Sequence, residues 1–249
     1  MISLKNERER EKMRRSGALV GAILRELRSR VVPGIELLEL EHQAEQMISD
    51  GGARPAFKGY RGYPYCLCTS VNEEVVHGMP SKRQLQEGDI VGLDFGVVLD
   101  GFYGDSAITV PVGKISQRAR TLVEVTEACL NQALHVAREG KTLKDIAHAV
   151  EAVVQPHGFG IVREYVGHGI GRRLHEDPQV ANYVEGALSL PLMAGMTLAI
   201  EPMITSGNAA VTVLDDGWTV VTQDRSLAAH FEHTILITQG ECEVLTKNT

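Results

Sequence analysis

Four carboxylates and one imidazole, on Asp94, Asp105, Glu201, Glu232 and His168, lie in five separate apolar or glycine-rich stretches of the chain. In runs such as Ile90-Val91-Gly92-Leu93-Asp94-Phe95 and Leu198-Ala199-Ile200-Glu201-Pro202-Met203, a lone negative charge is costly to bury. The chain holds 25 Lys and Arg residues, so ion pairing is available, yet none of them adjoins any of the four acids. A divalent cation is therefore the partner these residue types favour, and the chemistry it brings to a buried acidic site is hydrolysis. A carboxylate-rich set with one imidazole suits hard to borderline ions.

Each residue taken singly has a plainer reading. Asp94 and Asp105 are eleven positions apart around Asp100-Gly101, a strong hairpin-turn signal, so the two acids are expected to face each other across one hairpin. Alone, Asp94 reads equally as a buried acid bonded to backbone amides, and Asp105 as a turn or capping residue after Gly104. His168 sits in Gly167-His168-Gly169-Ile170-Gly171, ahead of His175-Glu176 and Pro178. Glycine there lets the backbone approach a ligand closely, although a lone histidine is more often a satisfied core residue. A dinucleotide-binding reading of the glycines fails, because no acidic residue follows at the proper place and the segment reads as strand and loop. Glu201 precedes Pro202, which suits an edge or bulge, and Glu232 enters Ile235-Leu236-Ile237; either also fits the solvent face of an alternating strand. His77, in Val75-Val76-His77-Gly78-Met79-Pro80, is a site candidate or a turn residue before Gly78. Tyr60 and Cys68 are near it in sequence, and Trp218 follows a turn at Asp215-Asp216-Gly217.

Hydrophobic periodicity outlines the scaffold that must position these groups. Glu7 to Arg30 predicts an amphipathic helix stopped by Pro33-Gly34, and a second helix follows from about Leu37 to Ile48. Beyond Gly51-Gly52 the texture turns to short β-branched segments, notably Cys66 to Val71, Asp89 to Val98 and Ser106 to Val112. The plan then restarts: Ser116 caps a helix to about Arg138, Thr142 caps another to Val154, and Gly158 opens a second series of strands. A shift of 106 positions lays Gly34 on Gly140, Leu37 on Leu143, Leu40 on Ile146, Glu45 on Glu151 and Gly52 on Gly158. Two halves of one plan explain this; a chance match of two amphipathic helices is the alternative. Asp94 and Asp105 come from the first half and the other three candidates from the second.

At 249 residues, 43% of them hydrophobic, the chain is long enough for one large domain or two small ones around a sizeable core. A net charge of −7 and no basic stripe interleaved with aromatics argue against a nucleic-acid partner. Cys66, Cys68, Cys129 and Cys242 form neither a dense disulfide framework nor a CxxC pair, which fits a reducing compartment. The first fifteen residues are charged, and no run of about eighteen apolar residues occurs, so the expectation is a cytoplasmic protein with no membrane partner.

Over essentially its whole length the sequence resembles the type I methionine aminopeptidases of the pita-bread fold. The matching pieces are Val71-Asn72-Glu73 with His77-Gly78-Met79-Pro80, Asp94, Gly104-Asp105, Gly167-His168-Gly169-Ile170-Gly171 with His175-Glu176, Ile200-Glu201-Pro202-Met203, Asp216-Gly217-Trp218 and Glu232-His233-Thr234. Ligand separations of 11, 63, 33 and 31 positions also resemble type I, the last leaving no room for the inserted helical subdomain of type II. The resemblance implies an α+β fold, a curved antiparallel sheet flanked by helices, in a single catalytic domain whose pseudo-symmetric halves span about 1–113 and 114–249. It implies two divalent metal ions, Mn, Co, Fe or Zn, with Asp94, Asp105 and Glu232 shared between them, His168 and Glu201 completing one, and a hydroxide held by both as nucleophile. By the same resemblance Glu201 takes the proton of the attacking water, His175 contacts the scissile carbonyl, His77 contacts the peptide nitrogen, and Tyr60, Tyr63, Cys68 and Trp218 line the methionine pocket. Leu174, where the family usually has an aromatic, and Phe57, where many bacterial members have a smaller residue, depart from the pattern and bear on pocket shape. The implied activity is removal of the initiator methionine from nascent polypeptides whose second residue is small, with ribosome association an open expectation. The form the resemblance leads one to expect is the bacterial housekeeping one, without the zinc-binding N-terminal extension of eukaryotic type I enzymes. A Xaa-Pro aminopeptidase, which normally adds a large N-terminal domain, and an inactive binding module with lost ligands are the competing readings.

Overall fold

Asn6 and Glu9 form a reciprocal capping box, in which Glu9 N–H donates to Asn6 Oδ1 at 3.1 Å and Asn6 N–H to Glu9 Oε2 at 2.9 Å, and the first helix starts there. In the computed structural model, which describes residues 2–247, this helix α1 runs over Glu7–Arg30 and buries Met13, Val20, Ile23, Leu24 and Leu27. Helix α2 spans Leu37–Asp50, α3 Gln117–Val136 behind the Ser116 cap, and α4 Leu143–Val154 behind a Thr142–Asp145 capping box. Strands of the first half are β1 Arg54–Pro55, β2 Leu67–Val71, β3 Glu74–Val76, β4 Ile90–Leu99 and β5 Phe102–Pro111. Those of the second are β6 Gly160–Ile161, β7 Gly167–Gly169, β8 Glu176–Val180, β9 Thr197–Ile200, β10 Met203–Thr205, β11 Val211–Val213, β12 Val220–Thr222, β13 Ala228–His230, β14 Glu232–Leu236 and β15 Glu243–Val244.

The main antiparallel sheet has the order β1-β4-β5-β14-β9-β7-β8, with β2 also on β4 and β15 also on β14. Helix α1 lies on β4 and β5, α2 on β2, and α3 on β9, β10 and β13, so one apolar core runs between helices and sheet through both halves. Two small sheets, β13-β10-β6 and β11-β12-β3, complete the rim.

The restart in the sequence is a restart in space. Helices α2 and α4 begin 106 positions apart and α1 and α3 end 106 positions apart. Gly34 and Gly140, and Gly52 and Gly158, hold the same left-handed backbone at corresponding points. Gly88 (φ 97°) and Gly195 (φ 98°) stand two residues before β4 and β9, and Asp94 and Glu201 are each the fifth residue counted from those strand starts. Strand β5 begins at Phe102, earlier than the expected Ser106, because Asp100 (φ 51°) and Gly101 (φ 81°) make a two-residue hairpin turn between the paired Leu99 and Phe102.

Helix α2 pins β2 through one buried side chain. The Glu41 carboxylate accepts N–H bonds from Cys66 and Leu67, both at 2.9 Å, where the chain enters the strand. Glu41→Ala strands two buried donors and should cost about 2–3 kcal/mol. Urea unfolding of the chelator-treated protein measures this, and a change below about 0.5 kcal/mol, the range of ordinary surface substitutions, contradicts it.

Candidate metal centre

Side chains alternate across a strand, so strand register decides which acids meet. Pairing of Cys68 with Asp94, Asp94 with Ala107, and Ala107 with Glu232 places these four in one row across β2, β4, β5 and β14. Beyond it, Ile200 pairs with His233 and Met203 with His230, so the register carried through the gap sets Glu201 opposite Glu232 and Pro202 opposite Phe231. Pro202, with no N–H to give, breaks the ladder there, although Phe231 N–H still reaches its carbonyl at 3.4 Å. Asp105 is two residues from Ala107 along β5, and His168 pairs with Ala199, two residues from Glu201. All five candidates thus project from one face of five adjacent strands. Asp94 and Asp105 are diagonal neighbours rather than directly opposed, since Asp105 faces Gly96.

The glycines around His168 serve packing between strands. A Cβ at Gly167 would lie 2.4 Å from the Ala199 carbonyl oxygen, and one at Gly169 2.1 Å from that of Asp177, so β7 fits between β8 and β9 only without side chains there. His168 Nδ1 is 2.9 Å from the Gly169 carbonyl, which can only accept, so Nδ1 carries the proton and Nε2 presents a lone pair. That Nε2 faces Glu201 Oε1 at 3.5 Å, two electron-rich atoms turned toward each other. Backbone bonds brace the acids: Thr234 Oγ1 donates to the Asp105 carbonyl at 2.7 Å and accepts from Asp105 N at 3.1 Å, Ser106 Oγ donates to the Glu232 carbonyl at 2.5 Å, and Asn182 Nδ2 to that of Glu201 at 3.0 Å.

Asp105, His168 and Glu232 bring ligand atoms within 4.8 Å of one another, and the charges of Asp94 and Glu201 bear on Glu232. Buried Asp94 Oδ1, Asp105 Oδ1 and Glu232 Oε1 have no hydrogen-bond partner. Burial, then mutual repulsion, holds the carboxyls of Asp94, Glu201 and Glu232 far above the ordinary range, and burial raises Asp105 to about 7. Partnerless carboxyl oxygens converging with an imidazole lone pair fit a divalent cation.

The same cavity, of about 240 Å³, is lined by every candidate residue: Tyr60, Tyr63, Cys68, His77, Asp94, Asp105, His168, His175, Glu201, Trp218 and Glu232. Tyr60 hydroxyl meets His175 Nδ1 at 2.8 Å, so this tyrosine orients the imidazole as well as lining the wall. His175 and His168 rings lie 4.3 Å apart between centroids. His77, with φ 60°, stands edge-on to Tyr165 and Trp218, and burial pushes it down to about 4, leaving a neutral ring. Tyr63 packs edge-on against Trp218 while its hydroxyl lies 3.1 Å from both the Leu67 and Gly78 carbonyls. Phe57 and Leu174 line the cavity, and Leu174 is part of a small apolar cluster with Ala56 and Ile170. Arg61, Tyr165, Val166 and Met203 also line it and were not singled out from the sequence; nothing in their local pattern separates them from ordinary strand and loop residues. His230, which does not line the cavity but brings Nε2 to 3.8 Å from Glu201 Oε2, was missed too, although its place two residues before Glu232 was a usable signal.

A sequence profile of metallopeptidase family M24 matches residues 11–239. Methionine aminopeptidase 1 of Bacillus subtilis is 47% identical over 247 residues, covering 99% of this chain and 100% of the relative. Methionine aminopeptidase of Escherichia coli is 41% identical over 247 residues, 98% of this chain and 94% of the relative. In structure, methionine aminopeptidase from Thermotoga maritima superposes with a TM-score of 0.97 at 48% identity, covering 99% and 100% of the two chains. Prolidase from Pyrococcus furiosus, at 21% identity and a TM-score of 0.79, covers 99% of this chain and 66% of its own and shares the fold alone. The chain belongs to metallopeptidase family M24, with the pita-bread fold. Within it the chain stands with the type I methionine aminopeptidases, as a metal-dependent hydrolase that removes N-terminal methionine.

Burial lowers His77, His168, His175, His230 and His233, and unfolded imidazoles have lost most of their protons above about pH 7.5, so in that range the raised carboxyls govern how these buried groups make the metal-free protein respond to pH. Groups raised on folding stabilise below their unfolded values and lose that contribution as pH climbs through the folded ones. The melting temperature of chelated protein should therefore fall as pH rises beyond about 7.5 while Asp94, Glu201 and Glu232 still give up protons, and added divalent cation should raise it more at the higher pH. A flat or rising melting temperature in metal-free protein contradicts the shared buried charge.

Proposed function

We propose that this enzyme is a dinuclear aminopeptidase of the cytoplasm that trims the initiator methionine from nascent polypeptides whose second residue is small. The observation carrying this reading is the row of buried acids, with partnerless oxygens, at the floor of an apolar cavity walled by Tyr60, Tyr63, Cys68 and Trp218. Asp94, Asp105 and Glu232 would be shared by two ions, with His168 and Glu201 completing one site; Mn, Co, Fe and Zn all suit the donor set. When bound, the ions supply an activated water at neutral pH and polarise the peptide carbonyl. Glu201 accepts the water proton on its carboxylate. His175, whose Nδ1 is held by the Tyr60 hydroxyl, turns its Nε2–H to the carbonyl oxygen, and neutral His77 contacts the peptide nitrogen beside the cut. The unbranched methionine side chain fills the aromatic cavity, where one methylene of misfit costs roughly 1–3 kcal/mol. The catalytic unit is one domain of two halves, about 1–113 and 114–249. Four free cysteines, three of them buried, suit the reducing compartment, and the ribosome is the place where such N-termini emerge.

Exhaustive chelation should abolish hydrolysis of a Met-Ala peptide, and Mn, Co or Fe should restore it; full activity in protein shown metal-free by elemental analysis sinks the reading. Across a peptide series, Met-Ala, Met-Gly and Met-Ser should be cut, Met-Lys and Met-Phe hardly at all, and a formylated control should resist. A preference for proline at the second position regardless of the first would instead mark a Xaa-Pro aminopeptidase.

Glu201→Gln keeps the side-chain size and removes the base and an anionic donor. Turnover in metal-replete buffer should drop by more than about a hundredfold with the circular dichroism spectrum unchanged. Near-parental turnover would remove Glu201 from the role.

A further inference from the structure

His230 is buried, and its Nε2 has no hydrogen-bond partner. That nitrogen lies 3.8 Å from Glu201 Oε2, while His168 Nε2 lies 3.5 Å from the other oxygen, so two imidazoles bracket one carboxylate. The His230 backbone is clamped from behind: its N–H donates to Thr109 Oγ1 at 2.9 Å, and that hydroxyl donates to the His230 carbonyl at 2.8 Å. The clamp holds β13 to β5, and the pairing of His230 with Met203 fixes the ring beside the Glu201-Pro202 break in the ladder. Because Pro202 interrupts the strand just where Glu201 leaves it, backbone pairing alone does not hold this carboxylate, and a side-chain donor has a use here.

We propose that His230 is a positioning residue for Glu201, with an Nε2–H that closes onto Glu201 Oε2 and leaves Oε1 directed toward the His168 side of the centre. His168 cannot do this, since its proton is committed at Nδ1 to the Gly169 carbonyl. The inference rests on the reading of Glu201 as ligand and base, and it adds the group that orients that carboxylate. A neutral imidazole with its proton on Nε2 gives this buried, partnerless nitrogen an acceptor in Glu201 Oε2.

The test compares His230→Leu, His230→Gln and His230→Asn, each also combined with Glu201→Gln, by steady-state kinetics on Met-Ala peptide and by calorimetric titration of chelated protein with Co²⁺. His230→Leu should lower kcat at least about tenfold with KM within about twofold, and weaken the first Co²⁺ by a similar factor. Glutamine, whose amide nitrogen can sit where Nε2 does, should restore most of both; asparagine, which is shorter, should not. In the Glu201→Gln background, replacing His230 should leave Co²⁺ affinity unchanged, because the two act as a unit. An equal loss of Co²⁺ affinity in both backgrounds means direct ligation or a general structural role and overturns the proposal. So does a His230→Leu protein with parental kcat, or equal activity of the glutamine and asparagine variants, which also decides the matter if the leucine variant does not fold. Near-parental turnover by Glu201→Gln alone would instead fail the parent reading.

Discussion

Four carboxylates share one face of one sheet, and their repulsion is the constraint around which the molecule is organised. Like charges directly opposed on neighbouring strands destabilise a sheet, and Glu201 and Glu232 are opposed in this way, with Asp94 one small alanine further along the row. Out of water the cost rises, and the metal-free protein can meet it only by keeping protons on acids that would otherwise be ionised. A divalent cation replaces those protons and turns the liability into a binding site, which ties folding, metal affinity and pH together in one cluster.

The halves explain how a single chain assembles such a cluster. Each begins with two helices and leads through a left-handed glycine into a strand with an acid at the fifth residue counted from its start, Asp94 inside β4 in one half and Glu201 just past the end of β9 in the other. Packing α1 on β4 and β5 and α3 on β9 brings the two strands into one sheet, with β5 and β14 between them carrying Asp105 and Glu232. Rigid strands on both sides, and the Thr234, Ser106 and Asn182 side chains bonded to the acids' own backbone, hold the oxygens in place before any cation arrives.

Much of this was legible in the residues. The boundaries of α1 and the starts of α2, α3 and α4 follow from caps, apolar spacing and the glycine stops, all of which act within a few residues and are therefore written locally. Asp100-Gly101 announced its hairpin because few residue pairs adopt that turn. The acids stood out because nothing near them in sequence could neutralise them, and the family motifs added the histidines and the pocket. The glycines flanking His168 were read for close approach to a ligand, whereas the close approach is to neighbouring strands, a distinction that needs β8 and β9 in view.

From the sequence alone came the element types, the candidate donors, the duplicated plan and membership in a family of metal-dependent aminopeptidases. The tertiary structure decided the register that puts Cys68, Asp94, Ala107, Glu232 and Glu201 in one row, the diagonal placement of Asp105, the proton position on His168, the bond from Tyr60 to His175, and the presence of His230 beside Glu201. Alternation along a strand is a local property with a period of two residues and can be read from the chain itself. Which residue lies opposite which is a pairing between segments up to more than a hundred positions apart, and it is set only when the core behind the sheet has packed.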